Sequence, residues 1–190
     1  RGAGASAYGT VQIGKFTVTG NYSYNNQFNS LRSYSESERE DFTSEDYKYL
    51  TQNSSHKSKS YSQFGYMEGS YEIDTLNLIT FSGNLFGYGT ESNSLGTTKM
   101  MNAQRQHAYS YNLISQSENS STHFNANFDY QHSFKKKGEY LTFSYRYGSS
   151  PNASESHTDY DDIKDYPYDA SYLFNQFYDN EARTDEHIFQ

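Results

Sequence analysis

The stretch from Phe124 to Tyr147 constrains this chain more than any other. Up to a basic turn its residues alternate. Phe124, Ala126, Phe128, Tyr130, His132 and Phe134 fall on one face, and Asn125, Asn127, Asp129, Gln131 and Ser133 on the other. Beyond Lys135-Lys136-Lys137-Gly138 the alternation resumes, with Leu141, Phe143, Tyr145 and Tyr147 against Thr142, Ser144 and Arg146. Side chains of a strand point to opposite faces in turn, so the pattern predicts a two-faced antiparallel hairpin. One face is aromatic along its length, and the other is too polar for a protein core. That combination suits the wall of a transmembrane β-barrel, apolar towards lipid and polar towards a watery lumen.

Bulk composition points two ways. A mean hydropathy of -1.01 and 33% hydrophobic residues lean towards disorder, yet 18% of residues are aromatic and there are only two prolines. A barrel wall reconciles these values, because only every second residue meets lipid and polar loops dilute the rest. No apolar run approaches the ~20 residues of a spanning helix. The absence of cysteine excludes disulfides and thiolate metal sites. A net charge of -8 argues against a nucleic-acid footprint, which is basic. The chain opens at Arg1 without a signal peptide and closes inside an apparent strand, Arg183 to Gln190, so we expect a mature or internal piece of a longer exported protein.

A second hairpin reads almost as clearly. A two-residue turn at Gly14-Lys15 pairs Ile13 with Phe16, Val11 with Val18, Gly9 with Gly20 and Ala7 with Tyr22 on an apolar face. The same register pairs Gln12 with Thr17, Thr10 with Thr19 and Tyr8 with Asn21 on the other, and a one-residue slip ruins both. A third pair runs from about Tyr61 to Tyr88 around Asp74-Thr75. Gly65, Met67, Gly69, Tyr71 and Ile73 share one face going in. The return strand holds Ile79, Phe81, Gly83 and Leu85 in one phase and Leu76, Leu78 and Phe86 in the other, which leaves its register open.

Three segments lack strand or helix periodicity: Asn25 to about Lys59, Gly89 to about Ser121, and Ser149 to Ala182. They read as long surface loops. Short turns then alternate with long loops, as in outer-membrane barrels. The expected fold is all-β: an antiparallel up-and-down transmembrane barrel, present in part as six strands and the start of a seventh, with long external loops. Residues 1–190 form a single region of that barrel, without a plug domain.

Candidate functional residues concentrate in the third loop. Tyr160, Tyr166, Tyr168, Tyr172 and Phe174, with Phe177 and Tyr178 beside them, are aromatics able to stack on a sugar or grip a partner, or else to pack the loop against its neighbours. Asp159, Asp161 and Asp162, within a run reaching Asp165 and Asp169, offer oxygen ligands for Ca²⁺, without the spacing or turn glycine of an EF-hand. The six histidines do not fall at metal-ligand spacing. His132 and Tyr22, Tyr24, Tyr130, Tyr145 and Tyr147 suit an interfacial aromatic girdle. No phosphate loop, nucleophile elbow or HExxH motif occurs, so no enzymatic activity and no cofactor are expected.

The segments YGTVQIGKFTVTGNYSYN, YEIDTLNLITFSGNLFGYG and FDYQHSFKKKGEYLTFSYRYGSSPN resemble the barrel of TonB-dependent outer-membrane receptors of Bacteroidetes type, in the outer membrane protein beta-barrel family. The resemblance implies a 22-stranded parent barrel with an N-terminal plug, driven by TonB, of which this chain covers about the N-terminal third. It implies nutrient uptake (glycan, peptide or metal chelate) at the outer membrane. The implied partners are outer-membrane lipid, the rest of the barrel and plug, TonB through the parent, and a surface lipoprotein. Two other readings stay open: a small porin-like barrel without a plug, and a soluble surface β-domain that binds glycan or protein.

Overall fold

The computed structural model describes residues 2–136, 138–169, 171 and 173–190, without the side chains of 28–30. These residues form one antiparallel sheet of seven strands in sequence order, and no helix longer than a single turn occurs among them. The strands are β1 (Ala3–Ile13), β2 (Phe16–Glu40), β3 (Tyr49–Glu72), β4 (Asn77–Met101), β5 (His107–Ser133), β6 (Tyr140–Lys164) and β7 (Gln176–Phe189). The sheet is open, with β1 and β7 at its edges.

The first hairpin has the register that its two faces dictate: Ile13 opposite Phe16, Val11 opposite Val18, Gly9 opposite Gly20 and Ala7 opposite Tyr22. Gly14 opens the turn at φ 58°, a positive angle that glycine adopts without a Cβ penalty and that a tight hairpin needs at this position. The hairpin at Lys135 also forms, with Phe128 opposite Tyr145 and Tyr130 opposite Phe143. On β4 the open register is resolved. Tyr71 faces Ile79, Gly69 faces Phe81, Met67 faces Gly83 and Gly65 faces Leu85, so this phase joins the apolar face and Leu78 and Phe86 take the other. Phe81 reaches across Gly69 to stack on Phe16, with ring centroids 6.2 Å apart, and a Cβ on Gly69 would collide with the Phe81 ring.

The three long loops are corrected. Most of Asn25–Lys59, Gly89–Ser121 and Ser149–Ala182 is strand, and the connections shrink to 41–48, 102–106 and 165–175. Serine, asparagine, threonine and charged residues occupy both faces of these extensions, so no apolar period marks them. Their backbones are nonetheless paired almost throughout. An alternation of polarity reports a strand only where the two faces meet different surroundings.

The register also fixes an inclination. Gly9, Gly20, Met67, Gly83, Ala126 and Tyr147 form one row of cross-strand partners. Around the three short turns, the row's partners lie 11, 16 and 21 positions apart in sequence (9 to 20, 67 to 83, 126 to 147). Each hairpin therefore dips about 2.5 residues, or ~8 Å, further below the row than the one before, while successive hairpins stand ~10 Å apart. The line of turns is inclined by about 40° to the row. A surface through the turns is thus crossed by strands tilted about 40° from its normal.

Candidate functional site

The sheet has no buried hydrophobic residue among those described; Val11, Phe128 and Phe143 are 49%, 41% and 50% exposed. The two faces differ in charge. From the short turns up to Arg32, Lys59, Glu91, Glu118 and Glu155, the aromatic face of β1–β6 carries no Asp, Glu, Lys or Arg, whereas on β7 only Phe189 and His187 precede Asp185, Arg183 and Glu181. Over the same span the opposite face holds Glu68, Glu72, Asp129, Arg146 and Glu186. Its polar groups bond across strands: Arg146 Nε donates to Asn127 Oδ1 at 2.9 Å, and Asn127 Nδ2 donates to Ser82 Oγ at 3.2 Å.

A tyrosine cluster closes the far end of this polar face. Tyr109 and Tyr111 lie two residues apart on β5, and Tyr160 lies on β6. The connection 165–175 folds back so that the Tyr166 ring meets Tyr109 and Tyr111 edge-on, at 5.5 and 6.0 Å between centroids. Tyr160 tilts against Tyr111 at 5.8 Å, Tyr168 caps Tyr166 at 5.5 Å, and Tyr47 joins Tyr109 from connection 41–48 at 5.9 Å. Desolvation raises the Tyr109 phenol above its ordinary pKa, with neighbouring tyrosines adding to the shift, and Tyr166 moves the same way for the same reason. Both phenols are therefore held neutral. Tyr168 remains 58% exposed and presents its ring outward.

The aromatics expected from the sequence are thus divided. Tyr160, Tyr166 and Tyr168 come together, Tyr172 lies outside the described residues, and Phe174 is exposed. Phe177 packs on His157, on the aromatic face's side of the sheet. Tyr47, Tyr109 and Tyr111 were missed because their segments read as loops. The i, i+2 spacing of Tyr109, Tyr111 and Leu113 was the available signal.

The aspartates are drawn elsewhere. Asp159 Oδ2 lies 2.8 Å from His157 Nε2, and Asp162 Oδ1 lies 2.8 Å from Lys164 Nζ. Asp161 Oδ1 accepts the Asp162 N–H at 2.7 Å. Among the described residues no three His, Asp or Glu side chains converge as a metal site would require, so Asp159, Asp161 and Asp162, offered by the sequence only as candidate Ca²⁺ ligands, are not gathered into one.

The fold and faces define a class, an open single-layer antiparallel sheet with an aromatic face that is free of charge near the short turns of β1–β6. No family model, curated protein or solved structure matches the chain.

Proposed function

We propose that this chain is part of the wall of an outer-membrane β-barrel of the TonB-dependent transporter type, whose parent protein takes up a nutrient. The observation that carries the reading is the aromatic face, free of formal charge over the turn-proximal half of β1–β6. A lone sheet exposing such a face to water is unstable, since each apolar layer needs a cover. Lipid supplies one without demanding a second protein layer. The ~40° inclination supports the reading, because barrel strands tilt about 35–45° from the membrane normal. An odd strand number also fits an incomplete wall: it sets β1 and β7 parallel, so all-antiparallel closure needs further strands.

In this reading the aromatic face meets lipid and the polar face lines the lumen. The tyrosine cluster of Tyr109, Tyr111, Tyr160, Tyr166 and Tyr168 stands at the lumen's outer mouth, where it contacts the incoming nutrient. Its partners are the remaining barrel and plug, TonB acting on the parent, and a surface lipoprotein. No catalytic step is assigned to the chain.

Membrane fractionation tests the reading. Source cells are separated into soluble and outer-membrane fractions, and the polypeptide carrying this sequence is weighed intact. A heat-modifiable outer-membrane species several times heavier than 21.9 kDa is expected. A soluble species overturns the reading.

A further inference from the structure

We propose that Arg32, Lys57 and Lys59 form a binding site for the phosphate-bearing headgroup of an outer-leaflet lipid, an inference that rests on the membrane reading above. All three lie on the aromatic face, just beyond its charge-free band. Arg32 stands directly opposite Lys57, and Lys59 is two residues along the same strand on the same face. Like charges set opposite each other across a ladder destabilise it, and the two neighbouring strands supply little compensation. Lys57 faces Asn93 on its other side. Among the described residues the group's one ion pair joins Lys59 Nζ to Glu91 Oε1 at 3.8 Å, with both side chains about half exposed. Glu36 lies four positions beyond Arg32 and is paired with Asn53.

Two further observations select the occupant. The first is level. Lys59 follows Tyr61, whose ring stacks on Tyr24 at 6.1 Å, and Tyr61 ends the charge-free run on β3. Measured from the turn at 73–76 and allowing for the tilt of about 40°, Lys59 stands ~35 Å up, beyond a lipid-facing apolar band of about 25 Å and within the ~40–45 Å that a bilayer spans with its headgroups. That is the depth of headgroups. The second is charge segregation. Along the cross-strand row that contains Lys59, Glu91, Glu118, Glu155 and Asp179 stand opposite one another on this face over β4–β7, and Arg183 of β7 is held by Asp185, Nε to Oδ2 at 2.9 Å. The row repels an anion from that side and leaves β2–β3 as the place where it is attracted. The apolar face directly below accommodates the acyl chains, so the ligand is an anionic lipid rather than a free anion.

The test uses the detergent-extracted, delipidated full-length protein and native mass spectrometry with added lipid A, phosphatidylcholine or inorganic phosphate. Lipid A is expected to bind and phosphatidylcholine not. The R32Q/K57Q/K59Q variant should lose about a hundredfold in apparent affinity, each cation near an anionic headgroup contributing about fivefold. K57R/K59R should retain binding, and so should a K15Q/K99Q control, which separates the site from overall charge. Heat-modifiable migration of each variant reports folding. Unchanged lipid A binding by a folded R32Q/K57Q/K59Q variant overturns the site while leaving the membrane reading intact. Competition by inorganic phosphate at concentrations equal to the lipid overturns the lipid as occupant. A native protein that does not fractionate with membrane overturns both.

Discussion

The turn-proximal and turn-distal halves of the sheet use the same backbone ladder for different purposes. Near the short turns each strand shows two unlike faces, aromatic against Asn, Thr and Ser. Beyond about Tyr61, Gly89 and Ser121 both faces are polar, and charges appear on the side that had none. The strands are continuous through the change: β4 and β5 run for 25 and 27 residues, well over twice the ~10 needed to cross a bilayer. Pairing is therefore indifferent to what covers the faces, whereas side-chain chemistry records it. In the membrane reading proposed above, a strand in lipid and its continuation in water share one register and differ only in alternation.

The comparison breaks most easily at the aromatic face. On the proposed membrane reading, Phe128→Arg, near the middle of the charge-free band, should destabilise the protein in lipid by about 2–4 kcal/mol. Gln116→Arg, on the same face of the same strand in the distal half, should stay within about 0.5 kcal/mol. Urea unfolding in lipid vesicles measures both, and equal effects would remove the distinction between the halves.

Smaller effects belong to the polar face. Asn127→Leu deletes the acceptor for Arg146 and the donor to Ser82, and should cost about 1–2 kcal/mol in the same assay. Tyr166→Ala removes the ring wedged against Tyr109 and Tyr111, each such aromatic contact being worth about 1 kcal/mol. Faster hydrogen exchange and proteolysis confined to 165–175 are expected, with β1–β3 unchanged.

The smallest effect is a titration. Burial raises the Tyr109 and Tyr166 phenols, so their contribution is complete below the ordinary tyrosine pKa of 10.0 and is lost as pH climbs through the raised values. Tyrosine absorbance should show a late-ionising fraction that disappears in Tyr166→Ala. Exchange in 165–175 should accelerate above pH 10 and remain flat through neutral pH.

How much was legible follows from the same contrast. The register of β1 with β2 could be read outright, because small and aromatic residues on one face and Thr, Gln and Asn on the other admit one alignment. The register of β4 could not: Leu76, Leu78 and Phe86 compete with Ile79, Phe81 and Leu85, and only pairing with Met67 and Phe128 separates them. The distal strands were invisible, since Ser, Asn and Thr carry no face preference when both faces are wet. The tyrosine cluster was legible by half. Tyr160, Tyr166 and Tyr168 are close in sequence, whereas Tyr47 and Tyr109 reach them only through the sheet.

By itself, the sequence determined where strands have two unlike faces, how the hairpin at Gly14 aligns, which residues of the Lys135 hairpin share a face, and that thiol chemistry is absent. Each is a local property, set by side-chain alternation over a few residues. Tertiary structure decided how far the strands continue, which phase of β4 joins the aromatic face, and which tyrosines, cations and carboxylates share a level. Those depend on cross-strand partners, some as far apart in sequence as Phe16 and Tyr71, and only the assembled sheet brings such partners to one place.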